Sequence, residues 1–141
     1  MRYWDASALV PLVIGEAATE RSRAWLREDP FVATWAWTRV ELASAVERRA
    51  RQGEISRSQR RACLDRFSAM AERWDEVSDF HAVRARALAL LARHPLRAAD
   101  AAQLGAALLA AEDAPASLTF VCLDEGLAAA ADREGFRVLF D

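Results

Sequence analysis

Short apolar runs alternate with helix-patterned stretches along the whole chain. That order restricts the fold to the α/β class with a parallel sheet, because parallel strands need a crossover between them. "MRYW" is a short strand candidate that ends at Asp5. "FVAT" (31–34), "LTFVCL" (118–123) and "FRVLF" (136–140) are the others, and the third of these four ends at Asp124. "SALVPLVI" follows the first strand as a helix, with Ser7 as its cap and Pro11 then in or near the first turn. Helices are expected over about 17–27 and from Thr38 to Arg51, with Gly53 as a stop signal. "SRSQ" (56–59) is a capping box for a further helix, whose Cys63, Phe67, Met70, Ala71 and Trp74 recur at helical spacing and are read as core. Ser78 can cap the next, with Val83, Ala87, Leu90 and Leu91 on its apolar face. "HPLR" breaks the chain, "DAPAS" is a loop, and "EGLAAAADREG" is a helix with Gly135 past its end. A length of 141 residues at 53% hydrophobic composition fits one domain, residues 1–141, with one core and high helix content.

Composition excludes several chemistries. All 19 basic residues are Arg, so Schiff-base chemistry, a P-loop lysine and a receiver-type phosphorylation site are ruled out. A net charge of -2 gives no whole-molecule attraction for nucleic acid, so any such binding must come from a local patch or a metal site. Cys63 and Cys122 lie far apart in apolar patterns and read as reduced core thiols of a cytoplasmic protein. With no CxxC and only His81 and His94, read as surface or helix-end residues, a zinc site is not expected. The apolar run 6–14 lacks a cleavage site and contains Pro11, which argues against a signal peptide, and no stretch is long enough to span a bilayer.

Within "RAADAAQLGAALLAA" (97–111), almost all Ala and Leu, stands Asp100. A carboxylate in such a setting needs pairing, neutralisation or a metal. Asp5 and Asp124 each follow an apolar strand, and parallel strands would bring both to one sheet edge, where open α/β sheets bind ligands. Asp100 and Glu41 each lie near a helix start and can face that edge. Each acid has a plainer reading. Asp5 and Asp124 could be helix caps, Thr38 and Glu41 could form a capping box, and Asp100 could serve the helix dipole. Together, four carboxylates in one crevice repel one another, and a divalent cation resolves the conflict. All-oxygen ligation suits Mg²⁺ or Mn²⁺, and such clusters commonly serve phosphoryl chemistry.

The segments "YWDASALVPL", "VELASAV", "HPLRAADAAQLGAAL" and "FVCLDEGLAAAADREGF" resemble, in order and over nearly the whole chain, the successive motifs of the PIN domain. They are most similar to those of the VapC-like toxins of bacterial toxin–antitoxin pairs. The resemblance implies a Mg²⁺-dependent endoribonuclease whose acids are Asp5, Glu41, Asp100 and Asp124, with the Ser7 hydroxyl supporting Asp5. It also implies a homodimer and a cognate antitoxin that blocks the site. The chain departs from the pattern at Ala6, where many relatives carry a hydroxyl, at Pro11 and at Gly105. None of these removes an acid.

Other residues bear on substrate. Trp4 and Trp74 read as core, whereas Trp35 or Trp37, on the approach to Glu41, could stack a base or dock a partner. Arg97 could pair with an acid or with a substrate phosphate. The run Arg48, Arg49, Arg51, Arg57, Arg60, Arg61 and Arg66 could track an RNA backbone, or form a solvated face paired with Glu47, Glu54 and Asp65. Two alternatives stand beside the ribonuclease: a PIN-like protein-binding scaffold without activity, and a nuclease acting on structured DNA.

Overall fold

A computed structural model describes residues 1–141. Five strands, β1 (Arg2–Trp4), β2 (Val32–Trp35), β3 (Asp75–Val77), β4 (Thr119–Val121) and β5 (Arg137–Leu139), form one sheet in the order β3-β2-β1-β4-β5. Every neighbouring pair is parallel. The helices are α1 (Ala6–Val13), α2 (Thr19–Glu28), α3 (Thr38–Arg51), α4 (Arg57–Ala71), α5 (Phe80–Arg93), α6 (Ala98–Ala110) and α7 (Glu125–Arg133). This is the expected α/β fold with a short parallel sheet and high helix content. No helix is long and apolar enough to cross a membrane.

The sheet splits the expected single core in two. Side chains alternate along each strand, so Tyr3, Ala33 and Phe120 face one side while Trp4, Val32 and Val121 face the other. On the first side they pack with Val83 and Leu90 of α5, Leu104 of α6 and Leu127 of α7. On the second they meet Leu9 of α1, Leu42 of α3 and Cys63 of α4. Both cysteines are free and buried, as expected.

Several local expectations need correction. β3 was not foreseen, because "DEV" shows no apolar alternation. It is an edge strand paired only with β2, and the acids on it discourage further pairing. Trp74 leads into β3 rather than ending α4, and the cap of α5 is Asp79, not Ser78, with Oδ1 accepting from the Ala82 N–H at 3.0 Å. Leu91, placed on the apolar face of α5, is exposed. Finally, Asp5 rather than Ser7 caps α1, so Pro11 falls inside the helix and not in its first turn. Proline has no N–H to return to the Ser7 carbonyl, and α1 ends two residues later at Val13.

The order of the strands fixes where a ligand crevice lies. From β1 the chain proceeds to β2 and β3 on one side, then returns to place β4 and β5 on the other. The reversal falls between β1 and β4, and the crevice opens beyond their carboxyl ends. Trp4 is level with Val121 across that seam, and the Asp5 N–H donates to the Val121 carbonyl at 2.9 Å.

α5 and α6 approach closely where Gly105 lies. A Cβ there would stand 3.0 Å from the Val83 carbonyl oxygen and 3.2 Å from the Ala87 nitrogen, both backbone atoms of α5. This accounts for glycine at one of the positions where the sequence departs from the pattern it resembles. Helix propensity alone would make Gly105→Ala stabilising by about 1 kcal/mol. Overpacking against backbone costs about 1–3 kcal/mol, so the variant is expected to be net destabilised. Urea unfolding checks this, and a raised midpoint would contradict the close crossing.

Candidate functional site

Asp5 leaves β1 and caps α1, while Asp124 follows β4 and caps α7. The Asp5 Oδ2 accepts from the Ser7 N–H at 3.0 Å and from the Ser7 hydroxyl at 2.5 Å. Asp124 Oδ1 accepts from the Leu127 N–H at 2.8 Å. The plain capping reading of both residues is therefore correct. It is also compatible with a shared site, because capping aims both carboxylates at helix N-termini on the same sheet edge. Ser7 does more than support Asp5. Its oxygen accepts from the Leu123 N–H at 2.8 Å, which ties the end of β1 to the end of β4.

Glu41 and Asp100 arrive from the first turns of α3 and α6. The capping box expected of Thr38 and Glu41 does not form. Trp37 occupies the cap position without a side-chain bond, and the Thr38 hydroxyl is 2.8 Å from that of Thr34. Glu41 Oε1 instead accepts from Gln103 Nε2 at 2.9 Å. Asp100 is half-buried in the first turn of α6.

The crevice is an open cleft of about 750 Å³ whose walls include Ser7, Glu41, Asp100 and Asp124. Asp5 lies beneath it, only 4% exposed. Burial pushes the Asp5 carboxyl up to about 6, the Asp100 charge adds to this, and the bonds from Ser7 oppose it. Burial likewise pushes Glu41 up to about 7, against the bond from Gln103 and with the charges of Asp5 and Asp100. Asp100 is raised by burial and then by the charge of Asp124, while Arg97 lowers it. Asp5, Glu41 and Asp100 thus feel one another's charge or that of Asp124, with little positive charge to offset it. The donors are all carboxylate oxygens, the chemistry of Mg²⁺ or Mn²⁺. As placed, no three of them stand close enough together to form a group that could hold a metal ion. An ion here would have to be held by one or two carboxylates with waters in its remaining positions, or the side chains would have to move inward.

The remaining candidates divide. Trp37 stands at the rim of the cleft, 61% exposed, whereas Trp35 is 8% exposed and belongs to the core, so it cannot stack a base. Arg97 lines the cleft, as does Arg48 alone among the basic run, and neither enters any salt bridge of the chain. Arg49 pairs with Glu16 and Glu54, and Arg60 with Glu47, so part of the run is a solvated, paired face. Asp65, expected as a partner, forms no such pair. His94 ends α5, as expected, but its ring is inward and bonded to Glu134 at 2.6 Å. Gln103, with Tyr3, Thr34 and Thr38 behind it, was missed. The available signal was its place three residues after Asp100, the next polar side chain of an otherwise apolar helix.

A family model for the PIN domain matches residues 2–133. Among curated proteins, none matches the chain. Among solved structures, the fold is similar to that of FitAcB from Neisseria gonorrhoeae, with a TM-score of 0.68 and 21% identity over 100% of this chain and 97% of that one. At that identity the likeness is one of fold.

The electrostatics set a pH dependence. Asp5 and Glu41 hold protons in the folded state at pH values where the unfolded chain has released them. Metal-free stability should therefore fall as pH rises from about 4 to about 8, by on the order of a few kcal/mol. Asp29, Glu47, Asp113 and Glu134 are held low by cationic partners. Their contribution is present above the ordinary carboxylate range and lost below it, so it does not offset the fall. Excess Mg²⁺ or Mn²⁺ should flatten the slope by favouring the ionised acids. Thermal melts across this range, with chelator and with metal, check both statements. Stability that rises with pH in chelator would contradict them.

Proposed function

The chain belongs to the PIN domain family, and from that premise we propose that it is a metal-dependent endoribonuclease, the toxin of a toxin–antitoxin pair. The observation that carries this reading is that Glu41, Asp100 and Asp124, from three separate stretches of sequence, line one cleft at the switch point of a parallel sheet, with Asp5 buried at the end of β1 beside them. Asp5, Glu41, Asp100 and Asp124 are the residues that would hold one or two divalent ions, with Mg²⁺ first and Mn²⁺ as a substitute. A bound ion supplies charge neutralisation at a phosphoryl group and a more acidic water.

The chain's own groups account for the rest. Ser7 holds Asp5 in one orientation by two bonds, so this acid needs no rearrangement. Arg48 and Arg97 are unpaired guanidinium forks on the walls, suited to phosphate oxygens. Trp37 offers an exposed ring at the rim on which an unpaired base can stack. An open cleft with one stacking platform favours a single-stranded loop of RNA over a duplex. With a net charge of -2, binding rests on these local groups and not on the overall field. The further expectations are an antitoxin that covers the cleft, a second copy of the chain in a homodimer, and a cytoplasmic location. The buried free thiols support the last of these.

The test is cleavage of a mixed transfer- and ribosomal-RNA pool by antitoxin-free protein. Discrete fragments should appear with Mg²⁺ or Mn²⁺ and vanish with chelator. Asp5→Asn and Asp100→Asn should each lower the rate by about 100-fold or more while leaving the far-ultraviolet circular dichroism unchanged. Retained cleavage in both variants would overturn the assignment. Cutting confined to structured DNA would redirect it to the alternative substrate. Absence of cutting with either metal in a folded sample would favour the scaffold.

A further inference from the structure

Gln103 is 0% exposed in a helix of Ala and Leu, where an apolar residue would pack at no polar cost. Tyr3, Thr34 and Thr38 beside it are equally buried. Their hydrogen bonds run in one direction only. The Trp4 carbonyl can only accept, so the Thr34 hydroxyl donates to it at 2.7 Å. Thr34 has then spent its hydrogen, and Thr38 must donate to Thr34. Thr38 in turn must accept, and it does so from Gln103 Nε2 at 2.9 Å. On its other side, the Gln103 Oε1 accepts from the Tyr3 hydroxyl at 2.7 Å. One amide hydrogen remains, and it goes to Glu41 Oε1 at 2.9 Å. Flipping the amide would set its oxygen against a hydroxyl with no hydrogen to give and against a carboxylate.

We propose that Gln103 is a positioning residue that fixes the Glu41 carboxylate in the crevice, its own amide being oriented by the relay from Trp4 through Thr34 and Thr38 and by Tyr3. The proposal rests on the reading of Glu41 as a cation ligand. Glu41 is a long side chain on α3, and Gln103 binds one of its oxygens from α6, the helix that also carries Asp100. The bond therefore holds two of the four acids in register across two helices and leaves the second Glu41 oxygen to the crevice. Groups behind a metal ligand commonly change affinity 10–100-fold when removed.

The test uses the full chain and Mn²⁺ as the probe. Calorimetry should show Gln103→Leu weakening Mn²⁺ binding by about 10–100-fold. The same change in a Glu41→Gln background should add no further loss, because Gln103 acts through Glu41. An equal loss in both backgrounds would mean a general effect on the fold and would overturn the proposal. Tyr3→Phe removes only the hydroxyl that orients the amide, and it should give a smaller loss of the same sign if Gln103→Leu folds poorly. A second readout needs no metal. Side-chain proton couplings of Glu41 should report one rotamer in the wild type and averaging in Gln103→Leu and Tyr3→Phe. Unchanged couplings in both would overturn the proposal. A wild type that binds no Mn²⁺ would defeat the cation reading alone, since the couplings still decide the role of Gln103.

Discussion

The parallel seam between β1 and β4 is the contact on which the rest of the molecule depends. These strands are far apart in sequence, and they meet with Trp4 level with Val121. Because they run the same way, each delivers the start of a helix to the same edge. Asp5 and Asp124 are the caps of those helices, and Ser7 bridges the two strand ends through Asp5 and the Leu123 N–H. Antiparallel pairing would have sent the acids to opposite edges. Two further helices, α3 and α6, then need only start near that edge to bring Glu41 and Asp100 in.

The same arrangement is electrically uncomfortable. Burial raises Asp5 and Glu41 well above the ordinary carboxylate range, and the mutual charge adds to it. Only Arg97 acts against this at Asp100. A cluster chosen for stability alone would not be built so, since removing one acid or pairing it with a guanidinium would relieve it. The chain supplies such pairs freely elsewhere, as Arg60 with Glu47 and Arg86 with Asp113 show. Their absence from the cleft is where the fold departs from what local stability alone favours.

Much of this was readable from residue order. Four of the five strands are apolar runs between helical patterns, and Asp5 and Asp124 are conspicuous because each closes such a run. What was lost was decided by distant partners. β3 forms from "DEV" because β2 offers an edge, and nothing local to those residues announces it. Thr38 and Glu41 have the spacing of a capping box, yet a glutamine 65 and 62 residues away from them captures both. Trp35 and Trp37 look alike in sequence, but β2 extends through Trp35 and turns it inward, leaving only Trp37 at the rim. Pro11 was misplaced because Asp5, two residues before Ser7, starts the helix.

The central claim is that the four carboxylates at the β1–β4 seam are one cation site. Anomalous diffraction from crystals grown with Mn²⁺ at neutral pH tests it most directly. The account predicts a manganese peak in the crevice, bound by oxygens of this acid set with waters completing its shell. Crystals with the acids ordered and no peak in the crevice, or with manganese only at other acids of the surface, would contradict it.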